Sequence, residues 1–217
     1  REAQFALRIE PGLVGLEDAR MKLGDGQLAG QLALRRTAEG VALLAKADLT
    51  NVALPQGPVA GRISGHVEIT STGLSHAELA GGLTGEGQAR IDGLTIANAD
   101  ATGLVRLIAA VDRGQINVDE RDLRAALLRE VERAPFAGGN RELLLNGAGG
   151  VLRFQSFDEP RLSLSFDTRQ WTQETRVTLS TPTRPRDWIG EAPAATLIWQ
   201  GRTGAMQRTV DAVPLFN

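Results

Sequence analysis

Cysteine and tyrosine are absent from the 217-residue chain, and histidine occurs twice. Without cysteine there is no disulfide, no thiol nucleophile and no thiolate metal site. Two histidines leave little for an imidazole metal site or a Ser–His–Asp arrangement. Aromatic residues are only 4% of the chain, so strands must be packed with Leu, Val, Ile and Ala. Charge of one sign is also lacking. The 24 Lys+Arg against 26 Asp+Glu leave a formal charge of -2, and nucleic acid is not an expected partner. The longest helical apolar stretch, residues 104–111, is interrupted by Arg106. It falls far short of the ~20 residues a membrane span needs. No charged segment followed by an apolar one opens the chain, as a secretory leader would require. The ends, Arg1-Glu2-Ala3-Gln4 and Val213-Pro214-Leu215-Phe216-Asn217, read as those of a piece of a longer protein.

What is present is ordinary globular composition: 42% hydrophobic, 23% charged, mean hydropathy -0.14. At this length a sizeable core can be buried. Glycine, 25 of 217 residues, is well above the usual ~7% and suits many turns and close backbone approaches.

Period two dominates the pattern. Gly61, Ile63, Gly65, Val67 and Ile69 alternate with Arg62, Ser64, His66, Glu68 and Thr70. This is a strand with one apolar and one wet face. Its inner side is expected to carry Ile63, Val67 and Ile69, with Arg62, His66 and Glu68 outside. Similar alternation runs through Ala19, Met21 and Leu23, through Leu28, Leu32 and Leu34, through Leu162, Leu164 and Phe166, and through Val177 and Leu179. Asp25-Gly26, Glu39-Gly40 and Asp92-Gly93 supply hairpin signals, the last splitting the run 87–97. Short turns and one wet face both argue antiparallel neighbours. Further strands are expected at 142–146, 150–157, 161–168, 174–181, 194–202 and 206–213. The stretch Thr181-Pro182-Thr183-Arg184-Pro185 reads as a loop or an edge break.

The middle of the chain changes period. Leu104, Leu107, Ile108 and Val111 fall at i, i+3, i+4 and i+7, one helical face. Asp100 or Thr102 can cap this helix, and Gly114 can end it. A second helix is expected over about 120–133, with Asp119 as its cap and Leu123, Leu127 and Val131 on one face. Arg106, Arg113, Arg124 and Arg129 are expected to stay wet. A shorter helical turn fits residues 75–80, with Ser75 capping and Glu78 three residues on. The fold expectation is therefore mainly β: a twisted or curled antiparallel meander. An amphipathic helical pair, inserted at about 100–134, covers one face. The whole of 1–217 reads as one β-rich domain.

No catalytic, cofactor-binding or metal-ligating residue stands out. Gly85-Glu86-Gly87 and Gly147-Ala148-Gly149-Gly150 are glycine-rich, but no helix pattern or Gly-Lys-Ser/Thr follows them. They read as strand and turn glycines. Residues 112–122 carry carboxylates without the ligand alternation, central glycine and closing glutamate of a calcium loop, so helix capping explains them better. His66 and His76 read as bystanders, and no Gly-x-Ser-x-Gly elbow occurs. Trp171, Trp188 and Trp199 are scattered and read as packing residues.

Residues 73–87, Gly73-Leu74-Ser75-His76-Ala77-Glu78-Leu79-Ala80-Gly81-Gly82-Leu83-Thr84-Gly85-Glu86-Gly87, form a Ser-x-x-Glu-Leu turn leading into Leu-x-Gly-x-Gly. Ile91-Asp92-Gly93-Leu94, the helical pair and a strand over 143–157 follow, and Arg208-Thr209-Val210-Asp211-Ala212-Val213 comes near the end. This succession resembles the C-terminal region of the AsmA family of bacterial envelope proteins, over roughly 85 residues plus the tail. The resemblance implies a non-enzymatic module on the periplasmic side of the inner membrane, anchored through an N-terminal helix of the full-length protein. It further implies a part in outer-membrane assembly or in phospholipid transport between membranes. The expected partners are phospholipid acyl chains and other envelope proteins, with no cofactor. The expected apolar groove face is Ile63, Val67, Ile69, Leu162, Leu164 and Phe166. The alternation fits equally a structural or protein-interaction module whose apolar face is packed shut.

Overall fold

A computed structural model describes residues 3–54, 57–117, 119–181, 192–202 and 205–212. The expectations for Val118, residues 182–185, Trp188 and Val213 lie outside the described residues. The strands are β1 (Ala3–Glu10), β2 (Leu13–Leu23), β3 (Gly26–Thr37), β4 (Gly40–Ala53), β5 (Val59–Gly73), β6 (Thr84–Ile96), β7 (Phe136–Ala148), β8 (Val151–Gln155), β9 (Arg161–Asp167), β10 (Thr172–Ser180), β11 (Ala194–Arg202) and β12 (Ala205–Asp211). They form one twelve-stranded sheet whose spatial order is the chain order, with every neighbouring pair antiparallel. A meander of this kind follows from short turns, because a tight turn can only return the chain beside the strand it left. The sheet is open, with β1 and β12 at its edges.

Three helices interrupt it: α1 (His76–Gly81) between β5 and β6, and α2 (Gly103–Asp112) and α3 (Glu120–Val131) between β6 and β7. The starts of α1 and α3 are capped as the sequence suggests, whereas Thr102 at the start of α2 makes no side-chain capping bond. The Ser75 hydroxyl accepts from the Glu78 amide at 3.2 Å, and the Glu78 carboxylate accepts from the Leu74 amide at 2.8 Å. The Asp119 carboxylate accepts from the Asp122 amide at 2.9 Å. Ahead of α2, Asp100 accepts from the Thr102 amide at 2.9 Å.

Two expectations are corrected. Asp92-Gly93 makes no hairpin: β6 runs straight through it, paired to β5 on one side and β7 on the other. Gly93 takes φ +64 where the β6–β7 register shifts, so its left-handed freedom serves a bulge inside a strand. Arg106 is not a freely solvated residue. Its guanidinium donates to Asp100 at 2.8 Å, to Glu130 at 2.7 Å, to the Glu130 carbonyl at 2.8 Å and to the Thr102 hydroxyl. It ties α2 and its leading loop to α3. Burial by itself would raise the Asp100 carboxyl, but the hydrogen bonds from Thr102 and Arg106 outweigh it and hold it below its ordinary value.

The core is one cluster. Leu104, Leu107, Leu123, Leu127 and Val131 of the helices join Ile91, Leu94, Ile96 and Leu143 of β6 and β7, and Leu162, Val177, Leu179 and Leu197 of β9 to β11. Its helical members repeat every three to four residues, while Leu94 and Ile96, and Val177 and Leu179, lie two apart; the bulge at Asp92-Gly93 sets Ile91 three residues from Leu94 on the same side. Arg208 on β12 reaches the same region. It donates to Glu132 at 2.9 Å and to the Asn98 carbonyl at 3.1 Å, with its guanidinium 5.6 Å from the Trp199 ring centroid.

Candidate functional site

Residues directly opposite one another on neighbouring strands share a face, so the register sorts the whole sheet into two sides. One row passes through Leu7, Leu16, Leu32, Ala45 and Ile69 of β1 to β5. It continues through Gly85, Gly147, Leu152 and Phe166. It ends at Gln173, Gly201 and Met206. Only Gln173 in this row of twelve is polar. The adjoining row on the opposite face runs through Gln31, Lys46, Glu68, Glu86, Asn146, Arg153, Ser165, Glu174, Gln200 and Gln207. Every member is polar. Along these rows the sheet is thus apolar on one side from β1 to β12 and wet on the other from β3 to β12.

The apolar side is not uniformly covered. Toward the C-terminal strands it is closed, with Leu162, Val177, Leu179 and Leu197 all buried. Toward the N-terminal strands it is open. Phe5, Leu7, Ile9, Val14 and Met21 are exposed, and Leu32, Ala45, Val67 and Ile69 are half-buried. Short α1 sits at one end of this face: Ser71 of β5 donates to the Leu79 carbonyl at 2.7 Å, and Thr168 after β9 donates to the Ala80 carbonyl at 2.8 Å.

Between the open and closed parts lies a cleft of about 320 Å³. Its walls include Leu54, Val59 and Ile63 on one side and Leu152, Phe154, Leu164, Phe166 and Met206 on the other. β5 and β12 are seven strand steps apart, or roughly 34 Å on a flat sheet at ~4.8 Å per step. Their sharing one cleft requires a sheet that curls strongly around its apolar side. Gly65 is one residue that permits this. A Cβ there would meet the Gln88 carbonyl oxygen and would lie 2.7 Å from the Ala89 Cα, so only glycine lets β5 and β6 approach in this geometry.

All six residues expected on the groove face share the apolar side. Ile63, Leu164 and Phe166 line the cleft, while Val67 and Ile69 lie beside it, half-buried. Leu162 differs. It is only 2% exposed, opposite Val177 in the closed core, and is not among the residues that line the cleft. On the wet side of β5, His66 is exposed, and Arg62 and Glu68 are half-buried beneath ion pairs to Asp25 and Lys46. Sequence reasoning missed Leu152, Phe154 and Met206 in the cleft, and Phe5, Leu7 and Ile9 on β1. Period two was available as a signal in each case, since Arg153 separates Leu152 from Phe154, and Ala6 and Arg8 separate the β1 residues.

The titratable groups lie mostly on the wet face or in the helix clasp. His66 Nδ1 is 2.7 Å from the Asp48 carboxylate on the wet face, a pair the sequence did not reveal. At the cleft rim, Glu174 accepts from Arg176 at 2.7 Å. Among the described residues no group of three or more His, Cys, Asp or Glu side chains is placed to hold a metal ion. Trp199 is buried in the core, whereas Trp171 is exposed and meets Phe166 edge-on at 5.7 Å between ring centroids, so the two form no common platform. No helix among the described residues is long and apolar enough to cross a membrane. The chain matches no family model, no curated protein and no solved structure.

Proposed function

We propose that this chain is a non-enzymatic module of an AsmA-like cell-envelope protein and that the apolar side of its curled sheet accommodates acyl chains. In this reading the full-length protein is held on the periplasmic side of the inner membrane by an anchor elsewhere in its sequence. It takes part in outer-membrane assembly or in phospholipid transport between membranes. The observation that carries the reading is the row across all twelve strands, apolar at every member but Gln173 and left partly open from β1 to β5 and beside the cleft. The helical pair α2–α3 covers the β6-to-β12 part of that side, while the other part remains for a ligand. Burying ~16 methylene-sized units at ~0.8 kcal/mol each offers on the order of 10 kcal/mol before the cost of ordering the chain.

Placing a carboxylate on this side should oppose binding, because the charge would have to be desolvated. Val67 is half-buried beside the cleft, which makes Val67→Glu the variant of choice. Native mass spectrometry and fluorescent-lipid transfer are expected to show lipid on the wild type and much less on a folded Val67→Glu protein. A wild type that binds no lipid, or a variant that binds it equally well, ends this reading. The closed burial of Leu162 and Leu197 favours the second one, a structural or protein-interaction module with a packed core.

A further inference from the structure

The wet side of the sheet carries a groove of its own. It crosses β5 to β8, holds about 690 Å³ and is bounded by further strands on both sides rather than by an end of the chain. Ligand sites commonly hold ~300–1,000 Å³. Register builds its floor from two adjoining cross-strand rows. In one, His66, Gln88, Leu144 and Gln155 stand opposite one another in turn; in the other, Glu68, Glu86 and Asn146 do. Phe157, just past β8, belongs to the wall.

Two features separate this groove from ordinary solvated sheet. Leu144 is 50% and Phe157 70% exposed, so two apolar side chains stand among polar rows without joining the core. The second feature is a set of polar groups without partners. Neighbouring charges are satisfied within the protein, with His66 Nδ1 2.7 Å from Asp48 and Lys46 Nζ 2.7 Å from Glu68. Among the described residues the side chains of Glu86, Gln88, Asn146 and Gln155 make no hydrogen bond or ion pair. Glu86 moreover stands directly opposite Glu68, a like-charge pairing that costs a sheet stability. Local rules broken without a structural gain are expected at functional sites.

We propose that this groove binds a neutral oligosaccharide. The ligand class follows from what the lining offers and what it withholds. Each of the three amides presents two N–H donors and a carbonyl acceptor, and the Glu86 carboxylate accepts from hydroxyls. Phe157 and Leu144 supply apolar surface for the C–H face of a sugar ring. The described lining holds no Lys or Arg but does hold Glu68 and Glu86, so a phosphorylated or carboxylated ligand meets repulsion. Strands β5 to β8 are each paired on both sides, so no edge is offered to a peptide backbone. Four strands span roughly 14 Å at ~4.8 Å per step, which suits a chain of sugars better than one. The groove lies on the opposite side of the sheet from the cleft. It needs no lipid and stands or falls independently of the acyl-chain reading.

Cellotetraose and tetra-N-acetylchitotetraose are the probes. In an NMR titration of the isotope-labelled 217-residue chain, millimolar sugar should shift the side-chain amide signals of Gln88, Asn146 and Gln155 saturably. The amide of Gln31, on the same side but outside the groove, should not move. Phe157→Ala and Gln88→Ala should each weaken binding by about three- to tenfold. Trp171→Ala removes a 63% exposed aromatic outside the groove and should leave the affinity unchanged. All three positions are exposed, so circular dichroism should confirm an intact fold. Absence of saturable shifts with both sugars overturns the inference. So does an equal loss in Phe157→Ala and Trp171→Ala, which would mark contact with any exposed ring. Tighter binding of tetralysine than of either sugar also overturns it, by assigning the groove to cations through Glu68 and Glu86.

Discussion

Leu127 offers the most direct test of how the helices are held. It lies on α3, is 0% exposed and belongs to the cluster shared with Leu107, Leu162 and Leu197. Leu127→Ala removes three carbons from full burial. At ~0.8 kcal/mol per methylene-sized unit the transfer loss alone is about 2.4 kcal/mol. A residual cavity of ~50–100 Å³ at ~24 cal/mol per Å³ adds about 1–2.5 kcal/mol, so the expected loss is about 3–5 kcal/mol. For a domain of this size that corresponds to a fall in Tm of roughly 6–20 °C. Trp199 is buried in the same cluster, so its fluorescence should report the urea transition. Leu74→Ala is the matched control. Leu74 is 77% exposed, and its truncation should change stability by no more than ~0.5 kcal/mol. A Leu127→Ala midpoint equal to wild type would show that α3 is not packed as described and would refute the reasoning.

Gly65→Ala should destabilise the protein by about 1–3 kcal/mol, because the added Cβ meets the β6 backbone rather than a side chain that can move aside; an unchanged urea midpoint would remove Gly65 as a determinant of the bend. Asp100 makes a pH-dependent contribution. Its carboxyl is depressed in the folded state, so its stabilisation is fully present above the unfolded value of 3.8 and is lost as pH falls below it. Asp100→Asn should therefore be less stable than wild type at neutral pH and lose less stability between about pH 5 and about pH 3. Parallel midpoint-versus-pH curves for the two proteins would argue against the Arg106 clasp. The Val67→Glu lipid experiment tests the ligand separately.

Local chemistry made much of the fold legible in the sequence. Strand, turn and cap each depend on residues adjacent in the chain. The alternation around Val67, the Ser75 and Asp119 caps and the i, i+3, i+4 stripe of α2 all sit in the structure where their residue types place them. Because side chains alternate along a strand, the faces of β5 and β9 were legible too: the six residues expected on the groove face share the apolar side, although Leu162 is sealed in the core. Asp92-Gly93 shows the limit of local reading. A glycine with positive φ serves a hairpin and a bulge equally well, and the choice fell to the strands on both sides of β6. Burial is a longer-range matter. Leu162 and Leu164 look alike in sequence, yet one is sealed in the core and the other borders a cleft. That difference arises because the sheet curls until residues of β5 and β12 line one cleft on its apolar side. The partners of Arg106, Arg208 and His66 likewise lie 18 or more residues away for at least one contact each. Periodicity decided which side of the strands would be apolar. How much of that side is buried depended on how the sheet curls, which is a property of the whole sheet and of no single segment.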